Sequence, residues 1–150
     1  MQVKDIMTRN METVRRDTSV SDAAEKMRGY DIGILPVCDG DKLVGVVTDR
    51  DITVRATANK LHSELVRCQD VMTPNVVFCF DDQEVAEAGT IMQDNKIRRL
   101  PVVNRQRNLV GIISIGDIAL GTGDTKLVGV SVEEVSVPDV PKPLPGQKRE

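Results

Sequence analysis

An internal duplication constrains the fold of this chain more than any other feature of its sequence. The segment VKDIMTRN (3–10) recurs as CQDVMTPN (68–75), an offset of 65 residues. The Pro-Val pair at 36–37 recurs at 101–102, and after one inserted residue the Leu-Val-Gly at 43–45 recurs at 109–111. Self-similarity at a fixed period indicates one structural unit present twice. We therefore expect two similar halves, at 1–62 and 63–120.

Each copy has the pattern of a βαββα unit. A β-like segment (12–16 and 76–80) precedes an apolar stripe with helical spacing, which in the first copy follows a capping serine, Ser19. The stripe consists of Val20, Ala23, Ala24 and Met27 in the first copy and of Val85, Ala88, Gly89 and Met92 in the second. Two strand-like runs joined by a polar turn follow, and a second helix begins near 49–51 and near 116. One copy has little core of its own, so we predict an α+β fold in which the copies pack through their sheets about a pseudo-two-fold axis.

The C-terminal residues 121–150 lie outside the duplication. Gly and Thr at 121–123 interrupt the pattern, and 127–135 has the apolar spacing of a short helix. The prolines at 138, 141, 143 and 145 predict an extended, flexible tail after it.

Composition excludes several classes of function. The net charge of −3 argues against a nucleic-acid partner, which requires a basic surface. With no Trp, one Tyr and two Phe, the chain also lacks a platform on which single strands can stack. No apolar run approaches the roughly 20 residues of a membrane span, and the N-terminus does not resemble a signal peptide. We therefore expect no membrane partner. Three cysteines without CxxC spacing indicate reduced thiols in a cytoplasmic protein.

The sequence contains no arrangement of residues typical of an active site. Its single histidine, His62, lies between the copies without a nucleophile near it in sequence. Metal-ligand spacing and a glycine-rich phosphate loop are both missing from the sequence. We therefore predict that the protein is not an enzyme, with no catalytic residues, no metal and no catalytic cofactor.

Three duplicated motifs occur in the same order in both copies. They are Asp-[Ile/Val]-Met-Thr, a strand containing Leu-Pro-Val, and Gly-h-h-[Thr/Ser]-x-x-Asp-Ile, where h is apolar. Over 1–120 this order resembles a pair of CBS domains, regulatory modules named after cystathionine β-synthase, in a stand-alone bacterial-type protein. The resemblance implies repeats that pair through their β-strands, homodimers that form through helices, and adenosine nucleotides bound in clefts between the two copies.

Two aspartates are the main candidates for nucleotide contact. Asp51 and Asp117 come where the second helix of each copy begins, and a carboxylate can accept hydrogen bonds from both ribose hydroxyls. Thr48 and Ser114, three residues earlier, add a hydroxyl, and a helix N-terminus favours phosphate. The same spacing is also a capping box, which needs no ligand. Capping and nucleotide contact both remain open as interpretations.

The resemblance implies further contacts from the segment before the first strand and from the start of the second. One cleft is expected to combine Thr8, Asn10, Glu12 and Ile32 with Ser114 and Asp117, and the other Thr73, Asn75, Val77 and Ile97 with Thr48 and Asp51. Arg98 and Arg99 are expected to make the Asp117 cleft the better phosphate site. Arg50 is the cation expected beside Asp51, with Arg55 one helical turn onward, in a cleft expected to take a less charged adenosyl ligand or to remain empty.

The function that follows is a regulatory sensor. AMP, ADP, ATP or S-adenosylmethionine would bind as a ligand and alter the packing of the repeats or the binding of a protein effector. The alternative is a ligand-independent dimerisation scaffold with vestigial pockets. The sequence leaves open which adenosyl ligand binds, whether one or both clefts are used, and which effector responds.

Overall fold

The structure, a computed structural model, describes residues 1–123. After a 3₁₀ helix at Val3–Asp5, the first half consists of β1 (Val14–Arg15), α1 (Val20–Tyr30), β2 (Ile34–Asp39), β3 (Lys42–Thr48) and α2 (Asp49–Asp51), which continues as a π-helix at Ile52–Thr57. The second half consists of α3 (Cys68–Val71), β4 (Cys79–Phe80), α4 (Val85–Asn95), β5 (Arg99–Val103), β6 (Leu109–Ser114) and α5 (Ile115–Thr122). The predicted order of elements is confirmed in both copies. The helix predicted at 127–135 and the flexible tail predicted after it lie outside the described residues. Of the C-terminal residues 121–150, the structure describes 121–123.

Each half contains a three-stranded sheet with the same topology. The first strand pairs in parallel with the second, and the second and third form an antiparallel hairpin. Gly40, with φ 61°, lies in the first hairpin turn, and Arg107, with φ 66°, lies in the second. The polar turns predicted from the sequence therefore connect the hairpins, and left-handed residues allow the chain to reverse there.

The apolar stripe predicted for α1 is correct at three positions and wrong at the fourth. Ser19 caps this helix by accepting the N–H of Asp22 at 3.0 Å. Val20, Ala23 and Met27 are buried, but Ala24 is exposed. A small side chain loses little by facing water, so three buried positions suffice for this helix. All four positions predicted for α4 are buried.

The leading motif of each copy packs into the core of the other half. Val3 and Met7 belong to the hydrophobic cluster built mainly from α4, β5, β6 and α5. Cys68 belongs to the corresponding cluster of α1, β2 and β3. The backbone bonds are equivalent as well: Val3 N–H donates to the carbonyl of Gln83 at 2.9 Å, and Cys68 N–H donates to that of Thr18 at 2.8 Å. The two halves thus exchange their first elements.

Glycine on the third strand permits this exchange. A Cβ on Gly111 would lie 2.6 Å from Met7 Sδ and 2.9 Å from the carbonyl oxygen of Thr8. Thr8 and Ile112 exchange both of their backbone hydrogen bonds, at 2.8 and 2.9 Å. The equivalent contacts of the other half involve Gly45, Met72, Thr73 and Val46. The methionine of the duplicated motif and the glycine of the strand are therefore a matched pair.

The two sheets meet about a pseudo-two-fold axis, as predicted. Lys42 and Asn108 occupy equivalent positions in the two copies and form a β-bridge with each other. Leu109 N–H donates to the carbonyl of Asp41 at 2.9 Å, and Lys42 Nζ donates to the carbonyl of Gln106. The axis passes beside this bridge, so clefts formed on one side of it recur on the other.

Candidate functional site

Two clefts lie between the halves, each at the N-terminus of a second helix. The cleft at Asp51, called here the Asp51 cleft, has a volume of about 430 Å³. The cleft at Asp117, called here the Asp117 cleft, has a volume of about 370 Å³. Both volumes fall within the range of roughly 300–1,000 Å³ that is typical of small-molecule sites.

The clefts gather the predicted residues in the predicted combinations. The Asp117 cleft is lined by Thr8, Asn10, Glu12, Ile32, Ser114 and Asp117. The Asp51 cleft is lined by Thr48, Asp51, Thr73, Asn75, Val77 and Ile97. Each cleft therefore joins the leading segment of one copy to the helix start of the other. The role of these residues as ligand contacts stays a prediction.

The arginines lie differently from the expectation. Arg98 lines the Asp51 cleft and not the Asp117 cleft, because it directly follows Ile97 at the entrance to β5. Arg99 lines both clefts, and its backbone pairs with Ser114. The expectation that both arginines serve the Asp117 cleft is therefore wrong for Arg98.

Arg50 is not among the residues that line either cleft, and its side chain is exposed. Successive residues of a helix are rotated by about 100°, so the residue beside Asp51 faces a different direction. Proximity in sequence therefore does not bring Arg50 into the Asp51 cleft.

Sequence reasoning missed several lining residues. They are Met11, Tyr30, Ile34 and Ile112 in the Asp117 cleft, and Ile34, Val46, Val76, Lys96 and Pro101 in the Asp51 cleft. Val46 and Ile112 come two residues before Thr48 and Ser114 on the same strands, so strand alternation is a signal that would have identified them. Lys96 has φ 53° and ends α4, and no pattern in the sequence marks it as a cleft residue.

Both aspartates form capping boxes. Thr48 Oγ1 accepts from Asp51 N–H at 3.0 Å, while Asp51 Oδ2 accepts from Thr48 N–H at 3.0 Å. The corresponding distances for Ser114 and Asp117 are 3.1 and 2.9 Å. The cap engages Oδ2 and fixes the carboxylate at the cleft, while Oδ1 is the second acceptor oxygen of the group. Capping and nucleotide contact are therefore compatible.

Arg55 connects two walls of the Asp51 cleft. Its Nη2 lies 3.8 Å from Asp51 Oδ1. Its Nη1 donates to the carbonyls of Val71 and Met72, at 2.9 and 3.2 Å, and to the hydroxyl of Thr73 at 3.3 Å. Since Asp51 and Thr73 come from different halves and both line the cleft, Arg55 fixes the position of one wall relative to the other.

Glu12 lines the Asp117 cleft and contacts Tyr30 and Lys26 of α1. The Glu12 carboxylate, through a hydrogen bond and through its charge, raises the pKa of the Tyr30 hydroxyl. Lys26 Nζ lies 3.4 Å from Glu12 Oε2 and donates to the carbonyl of Thr13 at 2.9 Å. Glu12 is thus held at the cleft by two neighbours on α1, and Lys26 is fixed in turn by the carbonyl of Thr13.

The cysteines lie in the cores and not in the clefts. Cys38, Cys68 and Cys79 are all buried. Burial, with a smaller contribution from a nearby aspartate in each case, raises the pKa of Cys68 to about 11 and that of Cys79 to about 12. Such thiols remain protonated near neutral pH and are poor nucleophiles.

The described part of the chain contains neither a metal-binding cluster nor a membrane-spanning helix. Within 1–123, no cluster of three or more His, Cys, Asp or Glu side chains is arranged to hold a metal ion. Over the same residues, no helix combines the length and apolar character that crossing a membrane requires.

Comparison with known proteins identifies the same two units. A family model for the CBS domain matches residues 3–56 and 68–120. The chain is 34% identical over 134 residues to the CBS domain-containing protein YhcV of Bacillus subtilis (strain 168). The aligned region covers 89% of this chain and 94% of that protein.

Two of the similar solved structures contain adenosine compounds. One is CBSX2 in complex with AMP, with 32% identity, a TM-score of 0.70, and coverage of 83% of this chain and 98% of that chain. Another is the CBS domain pair of protein MJ0100 in complex with 5′-methylthioadenosine and S-adenosyl-L-methionine, with 31% identity, a TM-score of 0.71, and coverage of 83% and 98%. Because the family model matches both halves and the fold agrees with these structures, the protein belongs to the CBS domain family as a tandem pair of CBS domains.

Proposed function

We propose that the clefts bind adenosine-type nucleotides and that binding biases the relative arrangement of the two halves. One observation carries the proposal: each cleft is built from both halves, with a capped aspartate from one and the leading segment from the other. A ligand that touches both walls stabilises the arrangement in which both are within reach. The adenosine compounds bound in the similar structures support the ligand class.

In this proposal each residue type has a separate task. Asp51 and Asp117 accept hydrogen bonds from the ribose hydroxyls through Oδ1, while Oδ2 remains in the cap. Ile32 and Ile97 provide apolar walls for the adenine ring, and Asn10 and Asn75 provide polar contacts at its edge. The N-termini of the second helices place N–H groups toward the anionic part of a ligand.

The role is regulatory, and no reaction is assigned to the clefts. Asp51 and Asp117 are engaged in helix caps, Glu12 is paired with Lys26, and the thiols are buried in the cores and protonated. A change in the arrangement of the halves would be transmitted to an effector protein or to a second copy of the chain.

Calorimetric titration of the protein with AMP, ADP, ATP, S-adenosylmethionine and NAD tests the proposal. At least one is expected to bind saturably, with one or two sites per chain. Asp117→Asn should weaken a ligand of its cleft by about ten-fold or more, because a charged acceptor contributes about 1.5–3 kcal/mol. The asparagine keeps an acceptor for Ser114 N–H, so the fold is retained.

Asp94→Asn is the control for this substitution. Asp94 is an exposed acid on α4 that does not line either cleft, so its loss should leave binding unchanged. Absence of heat from all five compounds, with a folded protein, would refute nucleotide binding.

A second candidate function is a ligand-independent dimerisation module. The second helices expose apolar side chains at equivalent positions: Val54 is 47% and Leu120 is 90% exposed. Large apolar side chains repeated on both halves are suited to burial against a second copy. A homodimer formed through these helices is compatible with nucleotide binding. It is equally compatible with a chain that binds no nucleotide and acts through dimerisation alone.

Light scattering after gel filtration tests the dimer. The full chain should elute as a dimer, and Val54→Thr combined with Leu120→Gln should shift it toward the monomer. A monomer at all accessible concentrations of the unmodified protein would rule out this candidate.

A further inference from the structure

We infer that the two clefts select different adenosyl ligands: a phosphorylated one in the Asp51 cleft and one without phosphate in the Asp117 cleft. This inference rests on the proposed function and adds the ligand class that each cleft takes.

The Asp51 cleft is the basic one. Lys96, Arg98 and Arg99 line it, against the single carboxylate of Asp51. Arg55 adds a further cation behind that carboxylate, 3.8 Å from Asp51 Oδ1. Arginine donates charge-assisted hydrogen bonds that match phosphate oxygens, and lysine adds a point charge. A ligand that carries a 5′-phosphate is therefore attracted to this cleft.

The Asp117 cleft has the opposite balance. Glu12 and Asp117 line it, against Arg99, and Lys26 contacts Glu12 from outside the lining. Arg55 contacts Asp51 and Lys26 contacts Glu12, so each cleft has one further cation beside an acid. The difference in charge between the clefts therefore persists when these two cations are included. A phosphate placed near two carboxylates is repelled, whereas a neutral or cationic 5′ group is not.

The contrast originates in differences between the duplicated copies. At three pairs of equivalent positions the second copy carries the more positive, or less negative, residue of the pair. These pairs are Asp31 and Lys96, Gly33 and Arg98, and Glu12 and Val77. All three differences change the charge in the same direction, which makes the Asp51 cleft more positive than the Asp117 cleft.

Two probes that differ only at the 5′ position separate the clefts. AMP carries a phosphate there and 5′-methylthioadenosine carries a neutral methylthio group. Both probes are titrated calorimetrically into the full chain. Asp51→Asn should lower the affinity for AMP by about ten-fold or more and leave that for 5′-methylthioadenosine within about two-fold. Asp117→Asn should lower the affinity for 5′-methylthioadenosine by about ten-fold or more and leave that for AMP within about two-fold. Each asparagine keeps an acceptor for the helix cap, so both variants retain the fold.

A second variant tests the charge of the Asp51 cleft without altering the aspartate. Lys96→Asn with Arg98→Gln removes two positive charges, and asparagine tolerates the left-handed backbone at position 96. AMP affinity should fall by about ten-fold or more, and 5′-methylthioadenosine affinity should not change. Arg28→Gln, an exposed arginine of α1 that does not line either cleft, is the matched control.

The outcomes separate failure of this inference from failure of the proposed function. Loss of AMP binding in Asp117→Asn, loss of both probes through the same aspartate, or unchanged AMP affinity in the Lys96 and Arg98 variant would overturn the inference. In those cases a probe still binds the unmodified protein, and the proposed function stands. If neither probe binds the unmodified protein, the proposed function fails, and the inference fails with it.

Discussion

At the scale of single residues, Gly111 illustrates how closely the two copies approach each other. A Cβ there would lie 2.6 Å from Met7 Sδ and 2.9 Å from a backbone oxygen of Thr8. Gly111→Ala should therefore cost about 1–3 kcal/mol of unfolding free energy, as overpacking typically does, measured by urea denaturation. Gly29→Ala on α1, where a Cβ meets nothing within 4 Å, should instead stabilise by about 0.5–1 kcal/mol. Equal effects of the two substitutions would contradict this contact.

The buried thiols make the free energy of unfolding depend on pH in the alkaline range. Burial raises the pKa of Cys79 from 9.0 to about 12, so the folded state holds this proton more tightly than the unfolded chain. The resulting stabilisation is fully present below pH 9 and is lost as the pH rises from 9 toward about 12. Urea unfolding at several pH values should show a smaller alkaline decline for Cys79→Ala than for the unmodified protein. Identical pH slopes would exclude this role.

At the scale of secondary-structure elements, Arg55 joins the π-helix to the segment that follows α3. It donates to the carbonyls of Val71 and Met72 and to the hydroxyl of Thr73. Arg55→Ala should cost about 1–2 kcal/mol and speed amide exchange at Met72 and Thr73. The equivalent position of the other half is Gly121, so exchange at the corresponding amides of the leading segment, residues 7 and 8, should not change. Uniform acceleration in both segments would indicate global destabilisation instead.

Much of the element order was predictable because it depends on local periodicity. Helical spacing identified α1 and α4, and Asp-Gly at 39–40 identified a hairpin. Only the family resemblance implied that the leading segments cross between the copies. The local pattern does not show the exchange, because Val3 and Cys68 are equally apolar whichever core they fill. Arg98 was assigned to the wrong cleft for a similar reason: the local sequence does not show that β5 begins between the two clefts, where Arg99 lines both and Arg98 lines only one. Pairing across the axis decides both questions, and one copy considered alone does not contain that information.

At the scale of the whole molecule, the exchange determines which fragments can fold. Residues 1–62 correspond to the first half as read from the sequence, but they lack Val66, Cys68 and Val71 of its core. Residues 9–72 have nearly the same length and contain that core in full. Circular dichroism should show cooperative thermal unfolding for 9–72 and little for 1–62, because an incomplete core does not offset the conformational entropy of the chain. Equal cooperativity in the two fragments would mean that the exchanged motif contributes little.

Arg99 lines both clefts, yet its one guanidinium group can approach only one ligand at a time. An anionic ligand that draws it into the Asp51 cleft removes from the Asp117 cleft the only cation among the described lining residues. Under the proposed function, the Asp117 cleft should then favour a positively charged adenosyl compound, such as a sulfonium, more strongly than before. Reciprocity requires that this second compound tighten the first by the same factor. A protein of this design would respond more strongly to two metabolites present together than to the same level of either one alone.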